Sequence, residues 1–190
     1  MNYQIIIDTF YPVGTNDKLR QILLTHSRGV ADLALEIAAK HPELQLDSNI
    51  VEAAAMLHDI GICQCDAAGI ECFGTEPYIC HGRLGATMLR ENAAKWGLTA
   101  EEIEPFARVC ERHTGAGLTT REIEAQHLPL PAIDMLPETT LEKVVCYADK
   151  FYSKTRPEVR KTYEKAEKSI AKFGEEGLNR FKEWNRKFAV

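Results

Sequence analysis

Apolar side chains at three- and four-residue steps constrain this chain most. Between Lys18 and Lys40, the residues Leu19, Ile22, Leu23, Val30, Leu33, Ala34, Ile37 and Ala38 mark one face of a helix, softly interrupted at Gly29. A stripe of that width must be buried against other helices. The same period returns over Asn49 to Asp59, behind the cap candidates Asp47 and Ser48 and ahead of a stop at Gly61. It returns again from Gly82 to Trp96, which Gly97 ends. Thr99 and Glu102 form a capping box for a helix to about Arg112, closed by Gly115 and Gly117, and Thr140 to Tyr152 is a further helix. Only Tyr3 to Ile7 is readable as either a strand or a first helical turn. Residues 61–80 and 127–138 carry the glycines and prolines of loops.

The fold expected is therefore all-α, a helical bundle. With 190 residues and 45% hydrophobic content, residues 1–190 are expected to form one domain. Its core would lie at about 19–152. Residues 157–190 would be a last, charged amphipathic helix packed on that core through Phe173, Leu178, Phe181, Trp184 and Phe188.

The net charge of -5 argues against nucleic acid or acidic lipid as a partner held by bulk electrostatics. No apolar run approaches the roughly 20 residues that cross a bilayer. Met1 to Phe10 also lacks the basic start and long apolar centre of a signal peptide, so a cytoplasmic location without membrane contact is expected. In that compartment the six cysteines read as reduced thiols. Cys63, Cys65, Cys72 and Cys80 crowd one stretch but lack the paired C-x-x-C knuckles of structural zinc sites.

Four histidines stand apart from the surface type represented by His41 and His127. His26 lies inside a helix, His58 adjoins Asp59 on a last turn, His81 opens a helix and His113 closes one. Helix bundles converge such side chains on one point, and Asp149 lies on another helix that could join them. Imidazole and carboxylate together suit a divalent transition ion rather than calcium: Fe, Mn, Zn, Co or Ni.

The run Ala-Ala-Ala-Met-Leu-His-Asp-Ile-Gly around His58 and Asp59 resembles the HD-domain superfamily of metal-dependent phosphohydrolases. That family's order of His, His-Asp and a distant Asp is met by His26 in Thr-His-Ser-Arg-Gly-Val-Ala, by His58-Asp59, and by Asp149 in Cys-Tyr-Ala-Asp-Lys-Phe. The resemblance covers roughly residues 19–152 and implies that these four residues bind one metal. His81 in Cys-His-Gly-Arg-Leu-Gly-Ala and His113 in Glu-Arg-His-Thr-Gly-Ala-Gly-Leu occupy the places that mark dinuclear members, where they would hold a second ion with Asp59 bridging. No Gly-Tyr-Pro follows His113, which argues against cyclic dinucleotide cleavage.

A bound cation lowers the pKa of its water toward about 7 and steadies a phosphoryl oxygen, so hydroxide attack on a phosphate ester or anhydride is the chemistry expected. Asp59 and Lys150 are the candidate catalytic residues. Arg28, Arg83 and Arg112, each within three residues of a ligand, are candidate phosphate binders. The substrate expected is a small phosphorylated metabolite, with nucleotides included. A diiron oxygenase of the same fold and a nucleotide- or metal-sensing module remain as alternatives.

Overall fold

In the computed structural model, which describes residues 1–190, nine α-helices carry the chain. They are α1 (Tyr3–Phe10), α2 (Asp17–Lys40), α3 (Ser48–Leu57), α4 (His81–Asn92), α5 (Ala100–Arg112), α6 (Thr120–Ala125), α7 (Thr140–Asp149), α8 (Tyr163–Ile170) and α9 (Glu175–Phe188). Tyr3 to Ile7 is helix, and its buried Ile6 and Ile7 pack inward. The caps are local. Asn16 accepts from the Leu19 amide to start α2, Asp47 accepts from Asn49 and Ile50 to start α3, and Thr99 and Glu102 complete both halves of the capping box of α5.

The long α2 packs on α3 and α7, and α4 lies against α5 and against a 3-10 turn at Ile60–Gln64. One continuous core joins Leu23, Val30, Leu33 and Ile37 of α2 to Leu57, Leu89, Ile103, Phe106 and Val145. The same core reaches Ala166, Ile170, Phe181, Trp184 and Phe188 of the C-terminal helices. No helix is long and apolar enough to cross a membrane.

Three segments differ from the sequence reading. Residues 61–80 contain 3-10 turns and a small sheet, in which β1 (Cys65–Ala67) pairs antiparallel with β2 (Cys72–Phe73) and parallel with β3 (Glu76–Pro77). These strands are too short for an alternating pattern to register. The short α6 follows a second capping box, Thr119 with Glu122. The C-terminal stretch is two helices rather than one, because Gly174 takes φ 121° and breaks it. Phe173, just before that break, is 47% exposed instead of facing the core, whereas Phe181, Trp184 and Phe188 are buried. All six cysteines are free, and all but Cys63 are buried.

Candidate metal centre

Five elements end at, or pass through, one buried point. His26 comes from the middle of α2, His58 and Asp59 from the turn that ends α3, His81 from the first residue of α4, His113 from the residue after α5, and Asp149 from the end of α7. Glycines permit the convergence. A Cβ built on Gly61 would lie 2.2 Å from the His81 carbonyl oxygen, and one on Gly82 would lie 2.4 Å from the Cys110 carbonyl oxygen. The backbone that carries His58 and Asp59 therefore packs directly on the start of α4, and the start of α4 directly on the end of α5. Buried thiols tie the same ends together: Cys110 donates to Leu57 O at 3.2 Å and Cys146 to His113 O at 3.3 Å.

Two groups of ligand atoms result. His26, His58, Asp59 and Asp149 form one, Asp59, His81 and His113 the other, and within each the donor atoms all lie within 4.8 Å of one another. Asp59 belongs to both. In the first, His26 Nε2 is 3.1 Å from Asp59 Oδ2, 3.0 Å from Asp149 Oδ1 and 3.3 Å from His58 Nε2. In the second, Asp59 Oδ1 is 3.4 Å from His81 Nε2 and 3.3 Å from His113 Nε2. No cysteine joins either group.

The hydrogen-bond pattern fixes what these atoms can do. Nδ1 of His58, His81 and His113 lies 2.6, 2.7 and 2.6 Å from the carbonyl oxygens of Ala55, Tyr78 and Cys110, each three residues earlier. A carbonyl only accepts, so each Nδ1 carries hydrogen, and in a neutral ring Nε2 is then a bare lone pair. His81 and His113 are neutral at ordinary pH: burial and the facing His113 push His81 down to about 3, and burial lowers His113 as well. Their two Nε2 atoms nonetheless face each other at 3.0 Å, beside a carboxylate oxygen. Three acceptors with no proton among them repel unless a cation lies between them. The donor set thus fits a divalent metal, and its mixed N and O character suits a transition ion.

The first group holds more charge. Burial alone would lower His58, but Asp59 and Asp149 outweigh it and raise the imidazole to about 9. Burial would likewise raise both carboxyls. His58 and Lys154 hold Asp59 well below the usual carboxylate range, and Lys150 with the imidazoles of His26 and His58 does the same for Asp149.

The two groups open onto a cavity of about 580 Å³, of the size that takes small-molecule ligands. His81, His113, Asp149, Lys150 and Lys154 lie at its metal-facing end, and Ile70, Tyr78, Ile79, Ile170 and Phe173 give it an apolar wall. Lys150 Nζ is 2.6 Å from Asp149 Oδ2 and donates to His113 O at 2.9 Å, so it stands at the site. Arg28, Arg83 and Arg112 do not line the cavity. Arg28 pairs with Glu52 at 2.7 Å beside Tyr3, and Arg112 donates to Leu136 O and pairs with Glu138 at 2.9 Å. Lys154, by contrast, has its Nζ 2.6 Å from Asp59 Oδ2, a contact that sequence position does not suggest. Its one sequence signal is a lysine between Ser153 and Thr155 shortly after a ligand.

The HD domain family matches residues 23–153 of this chain. An uncharacterized protein of Methanocaldococcus jannaschii is 34% identical over 153 residues, covering 79% of this chain and 78% of that one. Two tRNA (cytidine(56)-2'-O)-methyltransferases are also similar. That of Thermoplasma volcanium is 31% identical over 77% of this chain and 35% of its own length, and that of Picrophilus torridus 33% identical over 71% and 33%. The chain spans about a third of the length of these two methyltransferases. No solved structure gave a significant match. All six residues that could hold a metal fall within the matched segment, and this chain belongs to the HD domain family.

Proposed function

We propose that the protein is a metal-dependent phosphohydrolase that cleaves a phosphate ester or anhydride of a small metabolite, nucleotides among them. Membership of the family implies metal-dependent hydrolase-type activity. The observation that carries the finer reading is the charge balance of the pocket. Asp59 and Asp149 are already matched by the buried ammonium groups of Lys154 and Lys150. Each divalent ion added therefore leaves the pocket positive, in a low-dielectric wall that strengthens its pull on an anion. A phosphoryl group answers that charge, whereas a neutral substrate does not.

When bound, the metal would supply an acidified water and a Lewis-acid contact. His26, His58, Asp59 and Asp149 would hold one ion, and Asp59, His81 and His113 a second. The protein's own residues do the rest. The carbonyls of Ala55, Tyr78 and Cys110 orient three imidazoles, Lys150 steadies Asp149 against the His113 carbonyl, and the apolar wall limits water around the reacting group. The cavity is several times the volume of a phosphate group, which supports a substrate with a substantial organic body.

The test is phosphate release from a panel of phosphoesters and anhydrides, with Mn²⁺, Co²⁺, Ni²⁺, Zn²⁺ and Fe²⁺ supplied separately. Metal-dependent release from one substrate class is expected. Oxygen consumption by the iron form with no phosphate release would replace this reading with an oxygenase. Ligand-induced thermal stabilisation without turnover would replace it with a sensing module.

A further inference from the structure

Three lysines line the cavity, and they are held differently. Lys150 is fixed by Asp149 and by the His113 carbonyl. Lys161 donates to the carbonyls of Lys150 and Tyr152 at 3.2 and 3.1 Å. Lys154 has one anionic partner, Asp59 Oδ2 at 2.6 Å, and its side chain is only 12% exposed. Its backbone is set by the turn Ser153 to Arg156, closed by Arg156 N–H donating to Ser153 O at 3.0 Å. The side chain then runs past the Tyr78 ring, with Nζ 5.8 Å from the ring centre, to the carboxylate that both ligand groups share.

Sharing that carboxylate is the point. A cation taken up by either ligand group uses Asp59, and the attraction that holds the Lys154 ammonium there gives way to repulsion between two positive charges. A buried ammonium without a counter-ion is costly, and beyond Asp59 Lys154 has beside it only the Tyr78 ring and the more distant Asp149 carboxylate, which Lys150 already holds. We propose that Lys154 is a charge-exchange residue: it neutralises Asp59 in the metal-free site and, once metal claims that carboxylate, becomes the binding group for the substrate's phosphoryl oxygens. This rests on the phosphohydrolase reading above and adds the residue that recognises the phosphate. The flexible four-carbon stem of lysine suits a point charge that changes partner, as the rigid fork of arginine would not. Exchange of this kind also sets an order, with metal entering before phosphate.

Isothermal titration of Mn²⁺ into metal-free protein, followed by orthophosphate into the Mn²⁺-loaded protein, tests the exchange without any turnover. Lys154→Met is expected to bind Mn²⁺ at least as tightly as the unaltered protein, since a competing cation has been removed. Its loaded form should bind orthophosphate at least about tenfold more weakly, the loss of one charge-assisted contact. Lys161→Met, which removes a lysine tied to carbonyls, should change phosphate binding by less than about threefold. Lys154→Gln repeats the measurement with a polar head should the methionine variant fail to fold.

Phosphate affinity within twofold of the unaltered protein in a folded, Mn²⁺-loaded Lys154 variant would overturn the proposal and leave the phosphohydrolase reading standing. A tenfold fall in Mn²⁺ affinity would overturn it as well, because Lys154 would then be a prop for Asp59. Unaltered protein that takes up Mn²⁺ but neither binds phosphate nor releases it from any ester would overturn both.

Discussion

Asp59 is fully buried and is the one side chain common to the two ligand groups, so its carboxylate links everything else at the site. Asp59→Asn keeps the shape and removes the charge. Loss of most bound metal is expected by elemental analysis, with turnover down by about a thousandfold, the several kcal/mol that a metal contributes. His81→Ala with His113→Ala should behave differently, keeping about one ion per chain through the other four ligands while losing most activity. The His41 imidazole meets Glu43 at 3.1 Å, away from the site, and His127 is exposed, so alanine at either should leave metal and turnover within about twofold. The six candidate ligands, which the fold brings to one point, are legible in the sequence because histidine and aspartate beside apolar helical stretches are conspicuous. The lysine proposed to bind phosphate is not. Successive side chains on a helix are about 100° apart, so Arg28, two residues from His26, and Arg83, two from His81, project to other faces than the ligands they adjoin. Lys154 reaches Asp59 only because the chain turns after α7, and nothing in local spacing encodes that turn's direction.

At the scale of elements, the site depends on how closely the ends of α3, α4 and α5 approach. Gly82→Ala would press a methyl against the Cys110 carbonyl oxygen, and Gly61→Ala would press one against the backbone of both His81 and Gly85. Backbone cannot move aside as a flexible side chain can, so each change is expected to cost about 1–3 kcal/mol, and more at Gly61. Thermal melting reads this as a fall of roughly 2–4 °C per kcal/mol for a chain of this size. An unchanged melting temperature would contradict the packing described. From sequence Gly61 reads only as a helix stop and Gly82 only as a helix start, because spacing reveals where a helix begins or ends and not what lies against it. The same holds for the C-terminal helices. Their amphipathic pattern points Phe181, Trp184 and Phe188 inward, as found, but the break at Gly174 turns Phe173 to the cavity instead. Ile170 and Phe173 lie beyond the matched segment 23–153, so part of the cavity's apolar wall comes from outside the shared core, while Ile70, Tyr78 and Ile79 supply the rest from within it. Phe173→Ala should raise KM several-fold for bulky phosphoesters and leave metal content unchanged, a split that steady-state kinetics and metal analysis measure together.

Across the whole molecule, the candidate metal ligands connect α2, the turn after α3, α4, the end of α5 and α7, elements otherwise joined by apolar packing. An ion held by them is a cross-link through the centre of the bundle, and its binding free energy adds to folding stability because the unfolded chain offers no such site. The metal-free protein should still fold. Its core is continuous without the site, and Lys150 and Lys154 neutralise the two carboxylates that would otherwise repel each other. This sets it apart from domains that unfold when stripped of metal. At an ion concentration about a hundred times the dissociation constant, the added stability is about 2.7 kcal/mol, which corresponds to roughly 5–10 °C in melting temperature for a chain of this length. Chelation is therefore expected to lower the melting temperature by that amount with helical circular dichroism intact at room temperature, and Asp59→Asn should melt at the chelated value whether or not Mn²⁺ is present. A chelated protein that has lost its helical signal would show the metal to be the nucleus of the fold, and one whose melting temperature ignores Mn²⁺ would show that the ligands do not bridge the helices.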